Sequence, residues 1–561
     1  MKKIFLSFII LGTLLYMSTG CRKLNVPIES QYTPANFPQS ASDFVAAIGP
    51  VYTQMARNSS GTRYAVEYWR MQDLSTDEAI IVARDGNYND GGQYQFLHKH
   101  TWSSDHPNVI SCWSWGFGGI NLCNSLLNVF ATAPDGPVKT SALAELKAMR
   151  SLYYFFMMDL YGNVPIIDSF PVKVQPPTAK RSDVFNYIEK SLKDILPTIT
   201  TQVDGSTYGR ATKYMVFALL EKMYLNAEYY TGTPRYADAV AMADSILTKG
   251  PYSLDANYGS VFAPTNGPAT KETIFAIPYD ANLIPGNQFV RYGFAPYLYA
   301  LYNMPSSTST AMSTIPDFYF SNFNHPGDAR DTFWVRGKQF YFPGQPINVS
   351  LYPAAIVPSL QALYPQAIYP TTLKTLDNTF SGTDQGILWQ IEITDSLKLR
   401  GDPAKMDVGN DLLGQHEGIR CKKYYPDPNM NPSTKDANND VPVFRLADVI
   451  LMKAEALMRG NIPSTTVKGE VQTPLVLLNK VRARSTARLA VDPITVDTLL
   501  PERAREFSWE GWRRNDLIRF GKFEGAWGFK TANPTETYKR IYPVPTQELV
   551  LNPNLKQNPG Y

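Results

Sequence analysis

Asp85, Asn87 and Asn89 stand at alternate positions in DGNYNDGG (residues 85–92), the spacing at which a calcium loop presents its oxygen donors. The glycine falls one place late, and Phe96 stands where the bidentate glutamate belongs. An EF-hand is thereby rejected, while a calcium site of another kind stays open. The same stretch sets short polar side chains beside Tyr88 and Tyr94. An aromatic face for the apolar side of a sugar ring, with paired polar groups for its hydroxyls, is the chemistry of saccharide binding. A glycine turn between two helices would use the same residues, and both readings stand.

Three of the five histidines, His98, His100 and His106, cluster in HKHTWSSDH. They could hold a metal, but no cysteine or HExxH pattern accompanies them, so they are expected on a surface loop. The chain has no P-loop, HExxH, GxSxG or Rossmann glycine fingerprint, so no catalytic residue, metal ligand or cofactor is assigned. The paired carboxylates of a glycoside hydrolase are diagnosed by their separation in space, not in sequence. An extracellular hydrolase or lyase is therefore the alternative to a binding protein, and a structural adaptor that touches no ligand is a second.

A third constellation is ERAREFSWEGWRRNDLIRFGKF (residues 502–523), in which arginines interleave with Trp509, Trp512 and Phe520. A nucleic-acid groove needs that mixture, and so does a salt-bridged helix. The acids Glu502, Glu506, Glu510 and Asp516 match most of its six cations, and Glu510 precedes Arg513 and Arg514 by one helical turn. Cations matched locally cannot displace counterions from phosphates, so nucleic acid is not expected as a partner. The net charge of the whole chain, +3, agrees.

Amphipathic helices must position these groups. Leu146, Met149, Tyr153, Phe156 and Leu160 share one face of LAELKAMRSLYYFFMMDLYGNVP, and Gly162 and Pro165 close it. YMVFALLEKMYLNAEYY and YADAVAMADSILTKG behave alike, and FRLADVILMKAEALMRGN aligns Leu446, Val449, Ile450, Ala454 and Leu457. Such stripes bury against one another as stacked helix pairs of tetratricopeptide type, although no strict 34-residue period survives. Residues 282–440 are rich in Pro, Thr, Ser, Asn, Gly and Tyr and read as a loop-rich subdomain between two helical blocks. The fold class expected is all-α: a tetratricopeptide-like helical scaffold with a loop-rich variable subdomain.

The chain begins MKKIFLSFIILGTLLYMSTGC, with a cationic start, an apolar run of signal-peptide length and small residues before Cys21. Residues 1–20 resemble a bacterial lipoprotein signal, which implies lipidation of Cys21, and residues 22–27 would form a tether. Acyl chains contribute about 0.8 kcal/mol per buried methylene, so several of them anchor stably. Cys112 and Cys123, eleven positions apart, cannot bridge along one helix, and free buried thiols are expected.

Taken in order, STDEAIIVARDGNYNDGGQY, CWSWGFGGINLCNSLL, LAELKAMRSLYYFFMMDLYGNVPI, GRATKYMVFALLEKMYL, KETIFAIPYD, FRLADVILMKAEALMRGN, LLNKVRARS, ERAREFSWEGWRRNDLIRFGKF and YPVPTQELVLNPNLKQNPGY resemble the SusD/RagB family of outer-membrane nutrient-binding lipoproteins. The resemblance covers nearly the whole chain except its middle. It implies an N-terminal helical region (21–281), a variable region (282–440) and a C-terminal helical region (441–561). It also implies capture of an oligosaccharide or related nutrient at the cell surface and a SusC-like TonB-dependent transporter as partner, with the lipid-anchored chain acting as a lid on its barrel. The site residues it points to are Tyr88 for stacking, Arg84, Asn89 and Asp90 for hydroxyl hydrogen bonds, and Tyr292, Tyr297 and Trp334 for a second wall. The tether CRKLNVPIES departs from surface-exported lipoproteins in having no acidic cluster directly after the cysteine.

Overall fold

A computed structural model describes residues 37–299, 302–309, 311–323, 325–340, 382–384, 387–400, 402–410 and 412–561. The signal, Cys21 and the tether lie outside the described residues, as does most of the Tyr- and Thr-rich stretch after residue 340.

The principal helices are α1 (Ala41–Ala56), α2 (Gln93–Lys99), α3 (Pro107–Ala131), α4 (Pro137–Tyr161), α5 (Arg181–Ile195), α6 (Lys213–Leu225), α7 (Tyr236–Lys249), α8 (Leu446–Arg459), α9 (Pro474–Arg482), α10 (Val496–Phe507) and α11 (Arg513–Arg519). Local sequence sets their ends. Ser40 and Asp43 form a reciprocal capping box at the start of α1, and Pro107 and Pro137 open α3 and α4 where a missing N–H costs nothing. Gly162 follows the last turn of α4 and Gly250 that of α7.

Neighbouring helices stack in sequence: α3 on α4, α4 on α5, α6 on α7, α7 on α8 and α8 on α9, with α1 laid across α3 and α4. This is the paired-helix scaffold expected. The α3–α4 contact explains CWSWGFGGINL, because a Cβ on Gly116 would stand 2.1 Å from the Met157 sulfur and one on Gly119 would stand 2.3 Å from the Tyr153 ring. Only glycine lets the two backbones approach that closely.

The stripe expected on α4 is buried, but so are the other faces of its C-terminal half: every residue from Ala148 to Tyr161 lies in the interior, while Pro137, Val138 and Thr140 in the first turn are exposed. That half is enclosed on all sides rather than amphipathic. Each large apolar side chain so enclosed stabilises the fold by about 1.5–3 kcal/mol. Cys112 and Cys123 both lie on α3 as buried free thiols, and burial pushes the Cys123 thiol up to about 12.

Short strands stitch distant parts of the chain together. β1 (Ala79–Ile81) pairs antiparallel with β3 (Met312–Thr314), in the register Ile80 to Ser313. β2 (Thr273–Ile277) pairs with β9 (Val441–Arg445), just before α8, so FRLADVI contains a strand-to-helix junction and not a single helix. β4 (Trp334–Val335) pairs with β8 (Arg420–Cys421), and β5 (Gly337–Phe340), β7 (Ile387–Ile393) and β6 (Gly382–Asp384) form a small sheet in that order. Among the described residues no helix is long and apolar enough to cross a membrane.

The Arg- and Trp-rich segment corrects one expectation. It is not one helix: α10 ends at Phe507, the chain turns through Trp509 (φ 61°) and Gly511 (φ 77°), and α11 begins at Arg513. Glu510 therefore cannot pair with Arg513 or Arg514 one turn on. It receives Lys423 at 2.5 Å and Arg445 at 2.8 Å, while Arg513 reaches Asp77 at 2.6 Å and Arg514 donates to the Arg540 carbonyl at 2.6 Å. Arg503 joins Asp448 to Asp516, Arg519 joins Glu455 to Asp516, and Arg330 meets Glu502 and Glu506. Most of the charges are matched, as expected: Arg505–Glu502 and Arg519–Asp516 locally, one helical turn apart, and the others by long-range buried contacts. Trp509 packs on Trp69 with ring centroids 5.2 Å apart, and Trp512 lies under the Lys222 ammonium at 3.8 Å.

The histidine cluster corrects another. His98, His100 and His106 are buried, not on a surface loop. His98 Nε2 accepts the Phe529 N–H at 3.1 Å, which needs a neutral ring, and burial pulls its pKa down to about 3. His100 lies 2.8 Å from the Ser75 carbonyl and stacks on Phe523 at 4.5 Å, and His106 lies 2.8 Å from the Gln93 carbonyl. His98 and His100 join the N-terminal part of the chain to residues 523–529. Among the described residues no group of three or more His, Cys, Asp or Glu side chains is arranged to hold a metal.

Candidate functional site

The segment 82–92 runs from β1 into α2, so the glycine turn joins a strand to a helix and not two helices. Val82, Ala83 and Arg84 are buried, after which the chain emerges: Asp85, Gly86 and Asn87 are exposed, Tyr88 and Asn89 half-buried, Asp90 exposed. Arg84 and Asn87 exchange backbone hydrogen bonds at 2.9 and 3.1 Å, which closes a tight turn.

Left-handed backbone recurs here. Gly86, Gly91 and Gly92 have φ of 84°, 71° and 85°, as glycine permits. Asp85 (50°), Tyr88 (60°) and Asp90 (42°) adopt positive φ without that freedom. A tyrosine in that region costs on the order of 1–3 kcal/mol and persists only where its surroundings impose it, a pattern that clusters at binding sites.

The imposing contacts come from the middle of the chain. Asp407 accepts the Asp85 N–H at 2.8 Å, the Gly86 N–H at 3.2 Å and the Gly409 N–H at 2.8 Å. Burial alone would raise this carboxyl, but the three N–H donors hold it below the ordinary aspartate value. Ala83 forms a bridge with Asp407, and Gln95 donates to the Lys405 carbonyl at 2.8 Å. Residues 402–409 thus clamp the turn from one side.

On the other side, Tyr94 donates to Asp90 at 2.9 Å, and burial pushes the Tyr94 phenol up to about 12. The buried Arg70 guanidinium lies 5.0 Å from the Tyr94 ring centroid and 5.0 Å from that of Tyr292. One connected chain, Asp90–Tyr94–Arg70–Tyr292, therefore ties the turn to the half-buried Tyr292.

Tyr88, Asn89, Asp90 and Tyr292 thus belong to one neighbourhood with open faces. Arg84 does not share them: it is fully buried, donates to the Glu417 carbonyl at 3.3 Å, and burial pulls its pKa down to about 10. Tyr88 lies within electrostatic reach of both Arg84 and the buried Arg420. Arg84 stands beneath the turn as support. Trp334 is also interior, in β4, with Phe323 at 4.8 Å and Tyr319 at 5.9 Å. Tyr297 belongs to the 3-10 turn Pro296–Leu298, and its side chain lies outside the described residues.

Arg70 and Asp407 escaped the sequence reading, and Tyr94 entered it only as a second aromatic beside Tyr88, not as the partner of Asp90. Tyr94 carried a signal, since it stands four residues after Asp90 with a glycine pair between. Arg70 and Asp407 carried none, because each reaches the turn only through the folded chain.

The arrangement offers a tyrosine face, an amide and a carboxylate on an open surface, which suits a hydroxylated ring and holds no nucleophile–base pair. The carboxylates of Asp90 and Asp407 accept hydrogen bonds from Tyr94 and from backbone N–H groups, and so help to hold the turn in shape.

A scaffold of stacked helix pairs, stitched by short strands and carrying such a turn, places the molecule among folds built on tetratricopeptide-like frames. The SusD family model matches residues 265–561, more than half of the chain, and the chain belongs to the SusD family. It is 26% identical to the starch-binding protein SusD of Bacteroides thetaiotaomicron over 515 residues, covering 87% of this chain and 84% of that protein. It is 22% identical to a SusD-like protein of Bacteroides ovatus, covering 88% and 78%. Its fold is similar to that of surface glycan-binding protein A from B. thetaiotaomicron in complex with laminarihexaose (TM-score 0.63, 18% identity, 92% of this chain and 99% of that one). It is also similar to a SusD superfamily protein from Parabacteroides distasonis (TM-score 0.67, 17% identity, 95% and 100%).

Proposed function

We propose that this chain captures an oligosaccharide on the open surface formed by Tyr88, Asn89, Asp90 and Tyr292, and that it binds its ligand without cleaving it. The observation that carries the reading is Tyr88 held at φ 60° in a turn braced from two sides, within a chain of the SusD family. A binding face kept in a costly conformation is pre-organised, so little ordering entropy opposes the ligand. The Tyr88 ring stacks on the apolar face of a sugar, and Asn89 and Asp90 hydrogen-bond its hydroxyls. Arg84 and Trp334 support the turn and the neighbouring wall from within, and Tyr297 belongs with Tyr292 by its place in the chain.

An exposed platform of this size supplies about 4–8 kcal/mol, a millimolar to micromolar affinity. Such weak retention suits hand-over. We assign the next step to a SusC-like TonB-dependent outer-membrane transporter, which adds its own contacts when this chain closes over it. Lipidation at Cys21 keeps the chain on the outer membrane, facing outward. In this scheme residues 21–281 and 441–561 are the frame, and residues 282–440 set specificity through the clamp at 402–409.

Retention in gels containing soluble starch, laminarin or a β-mannan tests the reading. Wild type is retarded by at least one glycan, Tyr88→Ala loses the retardation, and no new reducing ends appear. Turnover of any glycan would move the chain to the hydrolases, and indifference to every glycan would favour an adaptor.

A further inference from the structure

We propose a second ligand site, for a carboxylate-bearing saccharide, in the cavity of about 430 Å³ lined by Lys180, Arg181, Ser182, Tyr229, Tyr538 and Arg540. It shares no residue with the turn at 85–92 and does not depend on the reading given to that turn.

The argument begins with charge. Many interior arginines meet carboxylates: Arg445 has Glu272, Glu506 and Glu510, and Arg503 has Asp448 and Asp516, while Arg514, which donates to carbonyl oxygens, is closed off from solvent. Arg540, on the cavity wall, is held by both oxygens of Glu524 at 2.6 and 2.9 Å. Arg181 differs. Its Nη2 donates to the Tyr229 carbonyl at 2.6 Å and its Nε to the Tyr230 carbonyl at 3.3 Å. Its guanidinium also lies 4.1 Å from the Tyr229 ring centroid. These partners fix the group in place but carry no negative charge. Lys180 beside it is exposed. Two adjacent cations, one of them rigid, thus face a cavity with no carboxylate paired to them among the described residues.

The remaining lining defines the rest of the ligand. Tyr229 and Tyr538 are half-buried rings, and Ser182 is a short hydroxyl. A carboxylate suits the fork of a guanidinium, and a flat ring face with hydroxyls at its edge suits tyrosine and serine. The volume lies in the range of small-ligand pockets and admits about two sugar units. Acidic sugars combine these features.

The test titrates the full mature chain with digalacturonate, its dimethyl ester and acetate, read by saturation-transfer NMR and calorimetry up to about 10 mM. Digalacturonate is expected to bind at least about tenfold more tightly than the ester, and acetate far more weakly than either. Binding should weaken with added salt. Lys180→Glu, at an exposed position, and Arg181→Gln should each lower the affinity about tenfold or more, and Tyr88→Ala should leave it unchanged. Arg181→Gln could disturb the fold, so Lys180→Glu decides on its own. Equal binding of the ester, indifference to Lys180→Glu, or no binding of digalacturonate overturns the proposal. Loss in Tyr88→Ala with retention in Lys180→Glu would place acidic sugars on the turn instead.

Discussion

Arg70 and Tyr292 form a cation–ring contact, with the guanidinium carbon 5.0 Å from the ring centroid, and Arg70 makes a second such contact at 5.0 Å to Tyr94. One buried cation thereby sets two aromatic walls, of which Tyr94 also holds Asp90. Arg70→Met keeps the bulk and removes the charge, so both rings lose their shared anchor. The affinity for whichever of laminarihexaose or maltohexaose the wild type retains should fall about tenfold, or about 1.4 kcal/mol. Arg70→Lys should recover part of it. Calorimetry on the three proteins checks this, and an unchanged Arg70→Met affinity would remove Arg70 from the site.

Asp407 spends its carboxylate on the backbone of the turn. Asp407→Ala should cost only about 1–2 kcal/mol of global stability, since these are partly exposed hydrogen bonds. The turn itself should open. Hydrogen exchange at Asp85 and Gly86 is expected to accelerate sharply, and glycan affinity to fall with it. Unaltered exchange at those amides would show that the turn holds itself.

Glu506 sits between Arg330 and Arg445, all three buried, with the half-buried Arg484 also in contact. Removing its charge breaks three ion pairs at once, although Arg330 keeps Asp328 and Glu502, Arg445 keeps Glu272 and Glu510, and Arg484 keeps Glu272; loss of one member of a buried ionic cluster costs about 3–5 kcal/mol. Glu506→Gln should lower the denaturation midpoint accordingly. Burial would raise the carboxyls of Glu502 and Glu506, but the surrounding arginines win, holding Glu502 at about 2 and Glu506 far below the ordinary range. A depressed pKa contributes stability above the unfolded value near 4.5 that is lost as pH falls. Wild type should therefore weaken steeply from pH 4.5 toward 2, and Glu506→Gln less so. Parallel pH–stability curves for the two would contradict this.

Glu221 presents the opposite sign. Both its carboxylate oxygens are buried without a hydrogen-bond partner, and burial, with Asp448 next, raises its pKa well above 4.5. A raised carboxyl stabilises fully below the unfolded value and loses that contribution as pH rises through the folded one. Glu221→Met, which carries no charge to desolvate, should raise Tm at pH 8 by more than it does at pH 5. Calorimetric scans at the two pH values decide it, and an equal shift at both would mean that Glu221 does not titrate in the fold.

The helices were legible in the sequence because their signals are local. Pro137, Gly162 and Gly250 mark ends within a few residues, and apolar spacing marks buried faces. What escaped depends on contacts between residues far apart in the chain. Glu510 and Arg513 look like helical neighbours until Trp509 and Gly511 turn the chain, and their true partners, Lys423, Arg445 and Asp77, come from elsewhere. The histidines in HKHTWSSDH read as polar, yet they are interior: residues 523–529 cover His98 and His100, and His106 turns onto the Gln93 carbonyl. At the site, the spacing of DGNYNDGG pointed to the turn itself. It could not show that Arg84 and Trp334 point inward, or that Asp407 and Arg70 brace the turn, since a side chain's exposure is fixed by what packs upon it.

The most direct measurement is a calorimetric titration of the mature chain, wild type and Tyr88→Ala, with laminarihexaose and maltohexaose, each recovered afterwards for chromatography. The account predicts saturable wild-type binding of at least one hexasaccharide in the micromolar to millimolar range, about 4–8 kcal/mol, a loss of about tenfold or more in Tyr88→Ala, and recovery of the sugar uncut. Equal binding by the two proteins, or a hexasaccharide returned as fragments, would contradict it.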